Sequence, residues 1–287
     1  MPFSTFTKKK YFHGQSDHPM SNPEGQNRHT SRGQKKMTSN ELVVDVSQDW
    51  MLACDVQQRF MRGFQGISSV VDHSAQCRQV RALGGDCYDF MPLADDRLAL
   101  VVGDASGKGL AAALMIANVQ SSLRTAALFT GNDLAGLLTV VNHLAYSSSP
   151  ADRYATLFYG VFDGADRTLR YVNAGHNPPI LLRRNGSIEW LEAGGAPVGM
   201  FADSTYEQRA IQLEHGDLLI AYTDGVIEAT SQSGDEWGIQ GLLRATSCAA
   251  QSSGEADDLV KRIFSSMDEF SNEHQTDDAT LAVVRVI

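Results

Sequence analysis

Residues 84–109 read GGDCYDFMPLADDRLALVVGDASGKG, and the fold turns on whether this stretch is a hairpin. Folded back at Asp95, it sets Asp86 nine residues before the turn centre and Asp104 nine after it. Residues equidistant from a hairpin turn face each other across an antiparallel ladder. Side chains alternate between faces along a strand, so Asp86, Tyr88 and Phe90 share a face with Leu98, Leu100, Val102 and Asp104. Two carboxylates then stand opposed at the end of an apolar stripe. Opposed like charges destabilise a sheet, so either one takes up a proton or a cation lies between them. A divalent ion resolves the conflict. An oxygen-only ligand set points to Mg2+ or Mn2+ rather than zinc.

Further aspartates occur in similar settings. The apolar run Leu218–Thr223 ends in Asp224, and Asp277-Asp278 stands just before the closing run Thr280–Ile287. Taken singly, each Asp reads as a turn or cap residue. Together with the Asp86/Asp104 symmetry they fit a two-metal site. Gly103–Lys108 imitates a phosphate-binding P-loop but is one residue short, and Gly109 stands where Ser or Thr should follow. Gly107-x-Gly109-x-x-Ala112 imitates a dinucleotide fingerprint, yet the first helix after it leads into a second helix instead of completing a βαβ unit. The better reading is a tight turn that lets the main-chain carbonyl of Ala105 reach a metal beside Asp104. His176, in the turn NAGHNPP, is either a proton-transfer group or a loop histidine bonded to backbone. Arg78, Arg81 and Lys108 are the basic residues nearest the acidic centre in sequence, placed to meet a phosphate or simply solvated. No serine or cysteine nucleophile motif is present, so a hydrolase built on this chain uses water.

Around this centre, β-like runs cover Arg97–Gly103, Tyr154–Asp163, Leu169–Asn173, Ile180–Arg183, Ser187–Leu191, Leu218–Thr223 and Thr280–Ile287. Helical segments are expected at Leu110–Phe129, at Asp133–Ser148 behind an Asn132 N-cap, at Ile239–Ala250 and at Glu255–Glu269, where Ser252 and Glu255 form a capping-box pattern. Hairpin-length loops between the strands predict antiparallel sheets with helices on their faces, an α+β sandwich.

The chain has 287 residues, 43% of them hydrophobic and 20% charged, which is ample for a core. It has neither an apolar run long enough to span a membrane nor a secretory signal. The spacing of Cys54, Cys77, Cys87 and Cys248 suggests no disulfide framework or zinc knuckle, and a reducing cytoplasm is expected. Residues 1–40 carry +5 and the remainder −15. The acidic body argues against nucleic acid, whose binding rests on phosphate neutralisation. The 1–40 segment is read as a disordered basic tail. It is a solvated strip, a contact for an anionic partner, or sequence ahead of a later start at Met20 or Met37. Val43, Val46, Trp50, Ala53, Gln57, Phe60 and Phe64 step by three and four, predicting an amphipathic helix over 41–64 that either docks on its own domain or pairs with a second copy.

The segments GGDCYDF, VVGDASGKGLAAALM, YATLFYGVFD, NAGHNPPILL, GGAPVGM, GDLLIAYTDGVIEA and DDATLAVV stand in the order seen in metal-dependent protein phosphatases. Over residues 65–287 the chain resembles the bacterial SpoIIE/RsbU-like branch of the type 2C (PPM) serine/threonine phosphatases, and helix 41–64 resembles the linker that precedes the domain in that branch. No sensor domain is expected ahead of it. The resemblance implies a four-layer αββα sandwich of two mostly antiparallel sheets, with a two-metal Mg2+ or Mn2+ centre. It implies metal ligation by Asp86, Asp104, the carbonyl of Ala105, Asp224 and Asp277, with Asp278 as neighbour or alternative ligand. It also implies that Asp86 and Asp104 serve catalysis through metal-activated water that hydrolyses phosphoserine or phosphothreonine. The implied substrate is a phosphorylated STAS-domain anti-anti-sigma factor in a partner-switching pathway, with an upstream activator acting through the helices after Gly109. Cys87 departs from the aromatic residue common at its position, which either sensitises the site to oxidation or changes packing. The alternative from another class is a metal-binding interaction module without turnover; hydrolysis of a small phosphomonoester is a third possibility.

Overall fold

The computed structural model describes residues 39–61, 66–67, 70–192, 194–251 and 254–287. By its contacts the chain divides between Leu42 and Val43. Of the first unit only the start of one helix is described; the sheets, the cores and the acidic cleft all belong to the second. The tail expected over 1–40 otherwise lies outside the described residues. The helices are α1 (Ser39–Phe60), α2 (Leu110–Ala127), α3 (Leu134–Ser148), α4 (Asp224–Ile227), α5 (Gly238–Ala250) and α6 (Ala256–Ser271). The strands are β1 (Gly66–Ile67), β2 (Val71–Arg78), β3 (Asp86–Leu93), β4 (Arg97–Ala105), β5 (Ala155–Asp163), β6 (Thr168–Ala174), β7 (Ile180–Leu182), β8 (Ile188–Trp190), β9 (Arg209–Gln212), β10 (Leu218–Tyr222) and β11 (Ala279–Val286).

Among the described residues the strands form a six-stranded sheet, β1-β2-β11-β10-β7-β8, and a five-stranded sheet, β3-β4-β5-β6-β9. Every pairing is antiparallel. Continuous apolar runs such as LALVV in β4 arise because both faces of each sheet are covered. Leu98, Leu100 and Val102 point into the core between the sheets, against Phe158, Leu219, Ala282 and Val284. Ala99 and Val101 point the other way, into a core completed by Ile116 and Val119 of α2 and Leu138 and Val141 of α3. On the far side Ile220, Leu281 and Val283 pack on Leu242 of α5 and Ile263 and Phe264 of α6. The layers are therefore helix, sheet, sheet, helix, as expected. Each fully buried Leu, Ile, Val or Phe side chain contributes roughly 1.5–3 kcal/mol, so these three cores outweigh any single polar contact in holding the layers.

The hairpin register is the one the symmetry required: Asp86 pairs with Asp104, Tyr88 with Val102 and Phe90 with Leu100. Asp95 and Asp96 make the turn in the left-handed region, with φ of 61° and 56°, which Asp tolerates better than most residues.

Several local expectations are corrected. The N-cap of α3 is Asp133, whose carboxylate accepts from the Gly136 N–H at 2.8 Å. Asn132 instead accepts from Arg97 at 3.0 Å. The N-cap of α6 is Glu255 without a side-chain cap, and the first free N–H, at Ala256, is met from β2 by Asp72 at 2.7 Å. Ser252, the other half of the expected capping box, lies outside the described residues. Helix α1 is described to Phe60, and Phe64, where the expected helix ends, lies outside the described residues. Strands β1, β2 and β9 and the one-turn helix α4 are not among the elements expected from the sequence.

Candidate metal centre

The carboxylates converge where the two sheets end side by side. Asp86 opens β3 and Asp104 lies opposite it near the end of β4. From the other sheet, β10 delivers Asp224 as the first residue of α4, and Asp277 and Asp278 lead into β11. Glycines make the approach possible. A Cβ on Gly85 would stand 2.9 Å from both the Ala105 carbonyl oxygen and Asp104 Oδ1, and one on Gly225 would meet the Asp278 carbonyl oxygen at 2.0 Å. The Ala105 carbonyl and the Asp104 carboxylate thus converge over a residue without a side chain. An all-oxygen set converging in this way fits a hard divalent cation.

Asp86 is buried, and its Oδ2 accepts from Thr223 Oγ1 and Thr280 Oγ1, each at 2.7 Å. Thr223 and Thr280 are tied to each other by Thr223 N–H to the Thr280 carbonyl at 3.0 Å and Thr280 N–H to Thr223 Oγ1 at 2.9 Å. Two strands of the opposite sheet therefore orient this carboxylate. Burial pushes its pKa well up, the Asp104 charge adds to this, and the two hydroxyls oppose it. Asp104 is pushed up to about 7, first by burial and then by the charges of Asp224, Asp277 and Asp278. The two carboxyl groups face each other across the ladder, so their titrations are linked. Burial and Asp277 also raise Asp224.

Asp277 and Asp278 take different parts. Asp278 spends both oxygens on backbone, Oδ1 accepting from Val80 N–H at 2.8 Å and Oδ2 from Gly85 N–H at 3.1 Å. Asp277 instead faces the cleft mouth, where its Oδ2 meets Lys108 Nζ at 2.7 Å. Lys108 sits between Gly107 and Gly109, both at positive φ, and is half exposed. Among the described residues no three acidic, His or Cys side chains already enclose an ion-sized space. The carboxylates come instead from both sheets, Asp86 and Asp104 from one and Asp224 and Asp277 from the other, near enough for the charges of Asp224 and Asp277 to act on Asp104.

Other residues singled out by sequence find different places. His176 is buried, with Nδ1 2.9 Å from Thr156 Oγ1 and its N–H on Asn173 Oδ1 at 2.7 Å. Its Nε2 makes no well-formed hydrogen bond, although the Tyr222 main chain lies close enough to favour the charged form. Burial drives its pKa down to about 4. It is a histidine inside the scaffold behind Asp104, whose strand partner is Thr156. Arg78 turns away to Asp268 at 2.6 Å and to the Phe264 ring, whereas Arg81 is exposed beside Gly109. Cys87 points into the α2/α3 core, on the opposite face of β3 from Asp86, and burial raises its thiol. The P-loop and dinucleotide look-alikes are excluded by topology, because β4 and β5 flank α2 and α3 as antiparallel neighbours. The sequence reading missed Thr223, Thr280 and the Gly84-Gly85 strap. Their signal was adjacency to the aspartates, since each sits one or two residues from one.

The family model described as stage II sporulation protein E (SpoIIE) matches residues 94–287, more than half of the chain and all of the candidate site except Asp86. Protein IcfG of Synechocystis sp. is 30% identical over 234 residues, 71% of this chain, and the chain spans 36% of that relative's length. Phosphoserine phosphatase RsbU of Bacillus subtilis is 25% identical over 255 residues, covering 88% of this chain and 74% of RsbU. The SiaA-PP2C domain of Pseudomonas aeruginosa has the same fold, with a TM-score of 0.71 at 18% identity over 85% of this chain and 98% of that one. A paired-sheet fold, an aspartate-lined cleft at its end and a match through the final strand lead to one assignment: the chain belongs to the stage II sporulation protein E family.

Proposed function

We propose that this chain is a metal-dependent protein serine/threonine phosphatase that acts on phosphoserine or phosphothreonine of a STAS-type anti-anti-sigma factor in a partner-switching pathway. The observation that carries the reading is the Asp86/Asp104 pair, Asp86 buried and Asp104 half-buried, to which no basic side chain is ion-paired among the described residues. Such a pair costs stability unless a cation or proton enters. The ions, Mg2+ or Mn2+, would be held by Asp86, Asp104, the Ala105 carbonyl, Asp224 and Asp277. Bound there, they would supply the attacking water and neutralise charge on the transferring phosphoryl group.

The chain's own residues do the rest. Thr223 and Thr280 fix one oxygen of Asp86 and spend no bond on the other. Asp278 binds the Val80 and Gly85 amides, which favours Asp277 as the ligand of the two. Lys108 and Arg81 are the exposed cations at the mouth, suited to a phosphate dianion. The similarity to phosphoserine phosphatase RsbU supports phosphoserine as the group that is hydrolysed. No described helix is long and apolar enough to cross a membrane, and we place the protein in the cytoplasm. Trp50, Met51, Leu52 and Val56 of α1 are exposed, which supports a homodimer through that helix. Trp50→Glu is then expected to give monomers by light scattering, and an unchanged mass counts against the dimer.

The deciding experiment is hydrolysis of an aryl phosphate with Mn2+ titrated in, against EDTA and Asp104→Asn. Turnover lost in both controls supports the reading. Folded, Mn2+-binding protein without turnover leaves the interaction module.

A further inference from the structure

At the end of the six-stranded sheet away from the carboxylates, the ladder register lines up one row of side chains across four strands. Arg285 of β11 pairs with Leu218 of β10, Leu218 with Leu182 of β7, and Leu182 with Ile188 of β8. Residues paired across a ladder share a face, and Leu218 and Leu182 belong to the core on the side of α5 and α6. The row two residues along, through Val283, Ile220 and Ile180, is buried under those helices. The row through Leu218 is left partly open. Ile188 is exposed, and the row lines a cavity of 360 Å3 together with Ser247 and Ala250 from the last turns of α5. That volume lies within the roughly 300–1,000 Å3 of small-molecule sites.

The charge of the cavity is opposite to that of the protein. The net charge of the chain is −10, yet no carboxylate lines this space and three arginines do. Arg183 is already spent, on Asp217 and Glu189 at 2.6 Å each and on the Gln212 carbonyl at 2.9 Å. It thereby neutralises the two acidic groups nearest in sequence. Arg285 gives one nitrogen to the Gly254 carbonyl. Its ladder partner Asp72 accepts from the Ala256 N–H at 2.7 Å and is not ion-paired with it. Arg184 is exposed, and its guanidinium has no bond or ion pair among the described residues. Its stem lies across Gly216, where a Cβ would stand 3.3 Å from Arg184 Cδ. An aliphatic floor is therefore flanked by one free guanidinium and one that is half spent.

We propose that this cavity is a second ligand site, which takes a small amphipathic organic anion: an apolar body on Leu182, Ile188 and Leu218, and an anionic head on Arg184 and Arg285. Few polar groups set around an apolar wall are what fix a small ligand's orientation, and guanidinium groups suit a carboxylate or phosphate head. The site stands apart from the metal centre. The length of β10, roughly 13 Å at a strand rise of about 3.3 Å per residue, separates Leu218 from Tyr222, after which the chain turns to Asp224.

Octanoate is the probe, titrated by calorimetry into the full chain in EDTA so that no metal competes for the carboxylate. 1-Octanol is the uncharged counterpart. Octanoate is expected to fill one saturable site at about millimolar affinity, and octanol to bind about tenfold more weakly. Arg184→Met should weaken octanoate about tenfold and leave octanol unchanged. Ser247→Trp fills the cavity from α5 and should abolish both. If that variant does not fold, Ile188→Asp, at an exposed edge position, sets a carboxylate in the row and should abolish octanoate binding. No saturable octanoate binding up to about 10 mM, well past the expected affinity, overturns the site. Equal affinity for octanol overturns the anionic class of ligand. Octanoate binding undiminished in Arg184→Met and in the cavity variant places the probe elsewhere and overturns the site as well.

Discussion

Strand β10 has a buried carboxylate before its first residue and a half-buried one, Asp224, after its last, and the two ends are built in opposite ways. At the start, Asp217 is fully buried and completely served: Arg183 meets it at 2.6 Å, and the N–H groups of Glu214 and Arg184 reach it at 2.9 and 3.3 Å. At the finish, Asp224 lies near Asp104 and Asp277, and burial and then the neighbouring charges raise the proton affinity of Asp224 and Asp104. A carboxylate given its own guanidinium is part of the scaffold. Carboxylates whose neighbours are more carboxylates are kept for something that arrives from outside.

The largest expected effect is at the unpaired end. Asp104→Asn removes charge with little change of volume, so metal-dependent turnover should fall to background. The metal-free protein should melt no lower than wild type, because a repulsion has been relieved. Unchanged turnover would break the comparison. The converse change, Asp217→Ala, leaves Arg183 only Glu189 and the Gln212 carbonyl, frees the Glu214 and Arg184 amides, opens a cavity and is expected to cost about 3 kcal/mol by chemical denaturation, with activity per folded molecule unchanged. A loss of activity without a loss of stability would show that this end is not merely scaffold.

His176 gives a third, pH-dependent contrast, because it is buried near the cleft yet belongs to the scaffold. Its folded-state pKa of about 4 lies below the ordinary 6.5. Between those values the unfolded chain takes up a proton that the folded one refuses, so stability falls as the pH drops from 6.5 toward 4. The full effect is about 3 kcal/mol. Asp86 and Asp104 act with the opposite sign, since their raised values favour protonation in the folded state on acidification. The difference between wild type and His176→Gln cancels that contribution. Urea unfolding of metal-free protein at pH 7, 5.5 and 4.5 should show the variant losing less stability on acidification. Parallel curves would refute the buried neutral imidazole.

Legibility in the sequence divides along the same line. The hairpin register could be read because two local signals agree, the symmetric spacing about Asp95 and the alternation of LALVV against YDF. The ligand candidates could be read because aspartates ending apolar strands are conspicuous. The supports were hidden because they are non-local. The hydroxyls on Asp86 come from residues 223 and 280, and the carboxamide that bonds the Gly84 carbonyl is that of Gln57, which read as one more position in an apolar stripe. Strand β2 (VDHSAQCR) was missed because its buried positions include His73 and Ser74. His73 packs on the Phe90 ring with centroids 4.3 Å apart, a contact only the opposed sheet provides. Strand β9 is a four-residue edge strand with mostly exposed side chains, so no alternation marks it. The N-cap of α3 slipped by one because Asn132 and Asp133 are both good caps, and Arg97 from the hairpin claims the first.

The smallest expected effect sharpens the comparison most, because Lys108 is, among the described residues, the one place where the unpaired end borrows a cation from the chain. Its ammonium lies 2.7 Å from Asp277, a contact that raises its own pKa, yet half of the side chain is in solvent. An exposed pair of this kind is worth up to about 1 kcal/mol, far less than a buried pair such as Arg183–Asp217. A divalent ion that takes Asp277 must displace this ammonium, so Lys108 opposes metal binding instead of assisting it. Lys108→Met should therefore bind Mn2+ a few-fold more tightly by calorimetry, the reverse of what removing any carboxylate does. The gain should shrink as salt is raised and the ammonium of the wild type is screened. Weaker binding in Lys108→Met would mean that the lysine holds Asp277 in place for the ion, and that the cleft mouth is built like the paired end after all.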